Sequence, residues 1–302
     1  MTISDESFHL AHISVEEGAS LVLKNCSIIA GARRNLDEGQ RSIMHDVGFD
    51  VAPGGSLTID HCKIRHHEYG NGFQIAIGKG ATFVMKDSEV YGVGSEWGYG
   101  GIRLENEYPV LEGNLIEESI INCFGCGRGS QIERNRILNS YFAINLSQSD
   151  NLSIKDNVIK GSIRPAIVGN AGGLIVEGNL IADVWQDGIQ LWGGDQHVLE
   201  NNVLNRIREP GTAINLWGAD NHFIRNRVMN SYRGIAVNGG ETIIGNILEN
   251  SRIGLVYDEL PTPFVGRLQI ESPRPIYAVG IRMEQASGGF QLTGIPADGI
   301  IF

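Results

Sequence analysis

The apolar residues of this chain fall in short runs that alternate with polar ones, and no segment sustains the stripe of an amphipathic helix. One pattern recurs along most of the length. It reads LVLKNCSI (21–28), LTIDHCKI (57–64), FVMKDSEV (83–90), VLEGNLI (110–116), QIERNRI (131–137), SIKDNVI (153–159), IVEGNLI (175–181), VLENNVL (198–204), FIRNRVM (223–229) and IIGNIL (243–248). A second pattern, small–apolar–variable–apolar, lies between these copies as GIRL (101–104), AINL (143–146), GIQL (188–191), AINL (213–216) and GIAV (234–237), and FGC (124–126) fits the same slot. Its last apolar residue precedes the next copy by a fixed step: Val15 to Leu21, Val51 to Leu57, Ile77 to Phe83, Leu146 to Leu152. Period-two runs joined by fixed turns are short strands. Their repeat near 22 residues is one rung of a right-handed parallel β-helix. The fold expected is all-β, a solenoid of about ten rungs over residues 10–258 with a C-terminal β extension or cap over 259–302. The extension, FVGRLQIESPRPIYAVGIRM and FQLTGIP, alternates with period two but lacks the Asn position, and reads as a few antiparallel strands covering the last rung.

The middle residue of the first pattern is Asn in most copies, and Cys26, Cys62 and Ser88 in the first three. An inward corner there lets each amide bond to the next rung, an asparagine ladder. Cys26 and Cys62 are expected as stacked, reduced thiols. Cys123-Phe-Gly-Cys126 has C-x-x-C spacing, but without a second pair or a nearby His core packing is the better reading.

Composition adds turns and removes partners. Gly is 40 of 302 residues and Asn 23, an excess suited to a chain that turns several times per rung. The net charge of −11 without a basic stripe disfavours nucleic acid. No apolar run is long enough for a bilayer helix, so membrane insertion is not expected. Residues 1–10 lack a basic region followed by an apolar one, so no signal peptide is read. Exposed solenoid ends make a homo-oligomer a candidate assembly.

The alternating G-I-x-L and I-x-x-N-x-I repeats, with VAPGGSLTIDHCKI (51–64) as a typical rung, resemble the pectin-lyase-like superfamily of right-handed β-helices, and more narrowly the repeats of carbohydrate-binding proteins and sugar hydrolases. The resemblance implies a secreted or periplasmic protein that handles polysaccharide or oligosaccharide. It assigns no specific family, because one scaffold hosts lyases, hydrolases, epimerases, esterases and adhesins. Ile59-Asp60-His61 is similar to part of a pectate-lyase motif, and Met44-His45-Asp46 with Gly48-Phe49-Asp50 to part of an alginate-epimerase motif. Neither motif is complete, and the paired Asp of polygalacturonases is absent.

Candidate site residues follow from the solenoid geometry. Insertions after Cys26, Cys62, Ser88 and Asn202 fall at one turn and should line up as a wall carrying His66, Glu68, Arg208 and Glu209, among others. Beside it, the small residues that open the second pattern, such as Gly101, Ala143, Gly188 and Ala213, are expected to form an outward trough. Arg103, Gly125, Asn145, Gln190 and Asn215 then line its floor, with Glu105, Trp192 and Trp217 on its rim. Sugar rings pack their C–H faces on aromatic platforms while amides bond the hydroxyls. A structural aromatic stack is the competing reading. Asp187 sits at the trough's mouth with Arg164 one rung earlier, suited either to acid–base work or to a surface ion pair. Asp150, Asp195 and Asp220 recur after the strand; they are candidates for Ca²⁺ or for an acid–base pair, and ordinary Asx turns are favoured. His197 and His222 read as stacked turn residues.

The expected function is hydrolysis or eliminative cleavage of a polysaccharide. Asp187 is the favoured carboxylate, Arg103 or Arg164 stabilises charge, and the acidic balance favours a neutral or weakly charged glycan. No metal site is assigned beyond the Ca²⁺ candidates. The alternative is a non-catalytic glycan-binding or adhesin-like repeat protein.

Overall fold

The computed structural model describes residues 1–30, 47–66, 73–93, 101–237, 241–251 and 253–257, with the strands 268–271, 276–279, 290–293 and 300–301. Among them there is no helix, and the protein is an all-β parallel solenoid. Contacts divide the chain into two units, Met1–Leu152 and Ser153–Phe302.

In the first unit each turn contributes one strand to each of three sheets. The first sheet stacks Ser20–Lys24, Ser56–Asp60, Thr82–Lys86, Val110–Glu112 and Gln131–Glu133 in parallel register. One inward column runs Leu23, Ile59, Met85, Leu111 and Ile132, all without solvent exposure. Each such side chain contributes roughly 1.5–3 kcal/mol by leaving water. The third sheet, from His12–Val15 through Val47–Val51, Phe73–Ile77, Gly101–Leu104 and Ile121–Phe124 to Ile144–Asp150, closes the turn around Phe49 and Phe73, whose rings meet edge to face at 6.3 Å.

The second unit repeats the plan. Ile154, Val176, Leu199, Phe223 and Ile243 form its inward column on the first sheet, and Ile167, Ile189, Ile214 and Ile235 on the third. The tail differs from the antiparallel expectation: Ile276–Val279 adds in parallel to Ile253–Tyr257, and Leu268–Glu271 pairs in parallel with Phe290–Thr293. Ile276–Val279 thus runs in the direction of the solenoid, and the backbone groups of Leu255 and Val256 meet a further strand.

The corners explain the recurring Asn. The residue before each stacked Asn, Ser or Cys is left-handed: His61, Asp87, Gly113 and Arg134 in the first unit, Asp156, Gly178, Asn201 and Arg225 in the second. That conformation costs an L-residue roughly 1–2 kcal/mol and glycine almost nothing. Behind the corner the amides stack. Asn114 Nδ2 donates to Asn135 Oδ1 at 2.9 Å; Asn179 and Asn202 bond at 3.0 Å, Asn202 and Asn226 at 2.9 Å. Each Oδ1 also accepts the backbone N–H one rung back, as Asn179 N–H to Asn202 Oδ1 at 3.0 Å. The first rungs use sulfur and hydroxyl instead: Cys26 N–H meets Cys62 Sγ at 3.4 Å and Cys62 N–H meets Ser88 Oγ at 3.0 Å.

Candidate functional site

In the second unit the third-sheet register places Gln190 beside Asn215 and Trp192 beside Trp217. Both indoles end their strands and face outward, 44% and 48% exposed. Gly193, at φ +78°, follows Trp192 and turns the backbone away. A polar chain leads from Trp217 to Asp187. Trp217 Nε1 donates to Asn215 Oδ1 at 3.1 Å, and Asn215 Nδ2 donates to Asp187 Oδ2 at 3.0 Å. Thr212 N–H donates to Asp187 Oδ1 at 2.6 Å. Burial pushes the Asp187 carboxyl above the usual carboxylate range, while the Thr212 and Asn215 bonds and the Arg233 charge pull the other way. A carboxyl balanced in this way can hold or release a proton beside a bound ligand.

A cation whose charge bears on Asp187 is Arg233. Arg233 lies opposite Thr212 in the register, whereas Arg164 is exposed on the bend before Ile167. Sequence reasoning missed Arg233 because it precedes Gly234-Ile235 in a slot read only for its small residue; the signal was its alignment with Thr212. It also missed the bond from Thr212, a backbone donor that no side-chain pattern reveals.

The first unit holds a separate charged hollow. A cavity of about 460 Å³ is lined by Ser14, Asp50, Gln74, Ala76, Arg103 and Glu105, among others. His12 Nε2 lies 3.1 Å from Ser14 Oγ and 3.6 Å from Asp50 Oδ2. Both partners address the same ring nitrogen, so the three do not form a relay through the ring. Arg103 is bonded to Glu105 and lies 5.2 Å over the Phe124 ring. Asn145 Nδ2 donates to Asn122 Oδ1 at 2.9 Å.

That bond exposes a register correction. Arg103 aligns with Asn122, not Gly125, so the rung strand is Ile121–Phe124 and not 124–126. IINCFGC contains two overlapping alternations, and the one that buries Ile121 and Cys123 wins. Nor do the small residues form a trough. Ala143, Ala166 and Ala213 are fully buried, and a Cβ on Gly188 would lie 2.5 Å from the Ala213 carbonyl. They are small because neighbouring rungs approach closely at that bend. His66, expected on the wall, ends its strand on the same side as buried Ile64, with its ring 6.4 Å from Phe73. Glu68 lies outside the described residues.

Among the other polar candidates Asp195 lies on a bend, whereas Asp150 ends the strand Ile144–Asp150 and His222 opens the strand His222–Ile224. Asp195 Oδ1 accepts the Ala219 N–H at 2.7 Å, the role of an Asx residue stacked between rungs. Asp150, Asp195 and Asp220 do not converge as a metal-ligand group among the described residues; the one such cluster there, Asp60, His61 and Asp87, sits at an exposed corner. His197 is fully buried, and its Nδ1 accepts the Leu174 N–H at 3.3 Å. Cys123 and Cys126 are buried in the core, with Cys126 Sγ 3.6 Å from the Leu104 carbonyl.

The comparisons with known proteins bear on this fold. No curated protein matches the chain. Among solved structures it is similar to the periplasmic alginate epimerase AlgG at 18% identity and a TM-score of 0.49, over 94% of this chain and 69% of that one. Residues 121–253 match the family model described as right handed beta helix region.

Proposed function

We propose that the protein binds a polysaccharide on the outward face of the third sheet in the second unit and cleaves it, with Asp187 moving the proton. The main support is the network itself: a largely buried carboxyl with a raised pKa, fixed by Thr212 and Asn215, tied through Asn215 to one of two exposed indoles on adjacent rungs. Exposed paired indoles offer C–H stacking area, and Gln190 beside Asn215 offers amide contacts to hydroxyls. As general acid, Asp187 would protonate a leaving oxygen; as general base, it would take a proton from a sugar carbon or from water.

The test is a polysaccharide panel read both for new reducing ends and for the ultraviolet absorbance of an unsaturated product. The first readout alone means hydrolysis, and both together mean elimination. Asp187→Asn should abolish turnover and keep binding. An Asp187→Asn variant with full activity sinks the assignment.

A non-catalytic glycan-binding protein is the second reading. It is favoured by the absence of another carboxylate from the Asp187 network among the described residues, since glycoside hydrolysis ordinarily uses two. Binding to the panel without any product, lost in Trp192→Ala, would establish it.

A further inference from the structure

We infer that Trp185 and Arg208 form a subsite for an acidic substituent, carboxylate or sulfate, on a saccharide ring. This rests on the reading of the second unit as a saccharide-binding surface and narrows its substrate class.

Trp185 follows the strand Leu180–Val184 and stands two residues before Asp187. Its indole is 53% exposed. The Trp185 backbone N–H donates to the Ser162 carbonyl at 3.0 Å, and the Arg208 backbone N–H to the Val184 carbonyl at 2.9 Å, so the two residues ride on neighbouring rungs. A turn fixes the Arg208 backbone, with Gly211 N–H donating to the Arg208 carbonyl at 2.7 Å. The guanidinium carbon lies 4.0 Å from the centre of the indole ring.

The donors of the Arg208 side chain are not used among the described residues. Arg206, two residues earlier, commits its fork to Asp183 through two bonds of 2.6 Å. Among the described residues the Arg208 side chain makes no hydrogen bond or ion pair; its one close contact is the ring. Stacking orients a guanidinium without consuming its N–H groups, which leaves a planar set of donors suited to an oxyanion. Arg206 holds Asp183 through both bonds, and Arg208 adds only a weaker charge interaction with that carboxylate. An available guanidinium on a chain of net charge −11 suits a glycan carrying isolated acidic groups, not a dense polyanion.

The experiment titrates the intact protein with four probes, followed by tryptophan fluorescence and calorimetry. The probes are an oligogalacturonate, its methyl ester, a sulfated galactan oligosaccharide and a neutral cello-oligosaccharide. The parent should prefer at least one acidic probe, in a salt-sensitive way. Preference for the oligogalacturonate identifies a carboxylate and preference for the galactan a sulfate. Arg208→Gln should weaken the preferred acidic probe by about tenfold and leave the uncharged probes unchanged, with Arg208→Lys between. Equal binding of the acidic probes by the parent and Arg208→Gln overturns the inference. If Trp192→Ala still weakens every probe in that case, the saccharide surface stands and only this subsite fails. If the parent binds none of the four, both fall.

Discussion

At the scale of single residues, buried amides in this protein fall into opposite energetic classes. Asn179 is fully satisfied: Nδ2 reaches Asn202 Oδ1 and the Ile154 carbonyl, and Oδ1 receives the backbone N–H and Nδ2 of Asn157. Asn179→Leu would leave those buried groups without partners, at roughly 1–3 kcal/mol for each. The denaturant midpoint should fall sharply. Asn106 is equally buried, yet neither its Nδ2 nor its Oδ1 has a partner among the described residues. Asn106→Leu should therefore add about 1 kcal/mol of stability and raise the midpoint. A loss comparable with that of Asn179→Leu would show that Asn106 is bonded in solution. Asp187 carries a pH signature. Its folded pKa is raised, so between the ordinary carboxylate range and the raised value the folded state binds more protons than the unfolded one. Its contribution is present at low pH and is lost as pH rises through that window. Stability of the parent minus that of Asp187→Asn, measured by denaturation across pH, should fall with rising pH; a flat difference would place the carboxyl in water.

At the scale of elements, the strands were legible because inward positions admit only apolar residues and every rung repeats the test. The columns Leu23–Ile59–Met85 and Ile154–Val176–Leu199 are read directly from period-two alternation. What stayed hidden was where a small residue is required and why. Ala143 and Gly188 look alike in sequence whether they floor an open trough or admit a neighbouring rung, because both demand the absence of a side chain. Only the backbone distance separates the two. The Asp187 site was half legible for a similar reason: its carboxylate and the two indoles stand out as residue types, whereas Thr212 acts through its backbone and Arg233 through alignment with the rung before it. Gly188→Ala turns that distinction into a measurement. Its Cβ would meet both the Ala213 carbonyl and, at 2.7 Å, Leu204 Cδ2, and the carbonyl is held by the rung. The substitution should cost on the order of 2 kcal/mol. A trough-floor glycine would tolerate it, so an unchanged thermal midpoint would restore the trough.

At the scale of the whole molecule, a solenoid has no single centre: each rung stabilises its neighbours and is stabilised by them. Outer ion pairs such as Lys63–Glu89 and Lys155–Glu177 bridge successive rungs, but they are exposed and each adds little. Cohesion comes from the inward columns and the corner stacks, both of which are local. The four cysteines of the first unit can report whether it opens locally as well. All are free and buried. Burial pushes the Cys62 thiol up to about 11, and the hydrogen bond with Cys126, reinforced by burial, raises Cys123 well above its ordinary value. Thiols react as thiolates, so none should react with a disulfide reagent until its rung opens. Cys26 and Cys62 lie in the second and third turns from the N-terminal strand, while Cys123 and Cys126 lie two turns farther in. If rungs peel from that end, the first pair should be labelled at least about tenfold faster than the second in mild denaturant, with single Cys→Ser variants assigning the phases. Asn114→Leu, two turns beyond Cys62, should then speed the second pair far more than the first. One common rate for all four thiols, shifted equally by Asn114→Leu, would mean that the first unit opens as a single block and that its corner stack couples every turn.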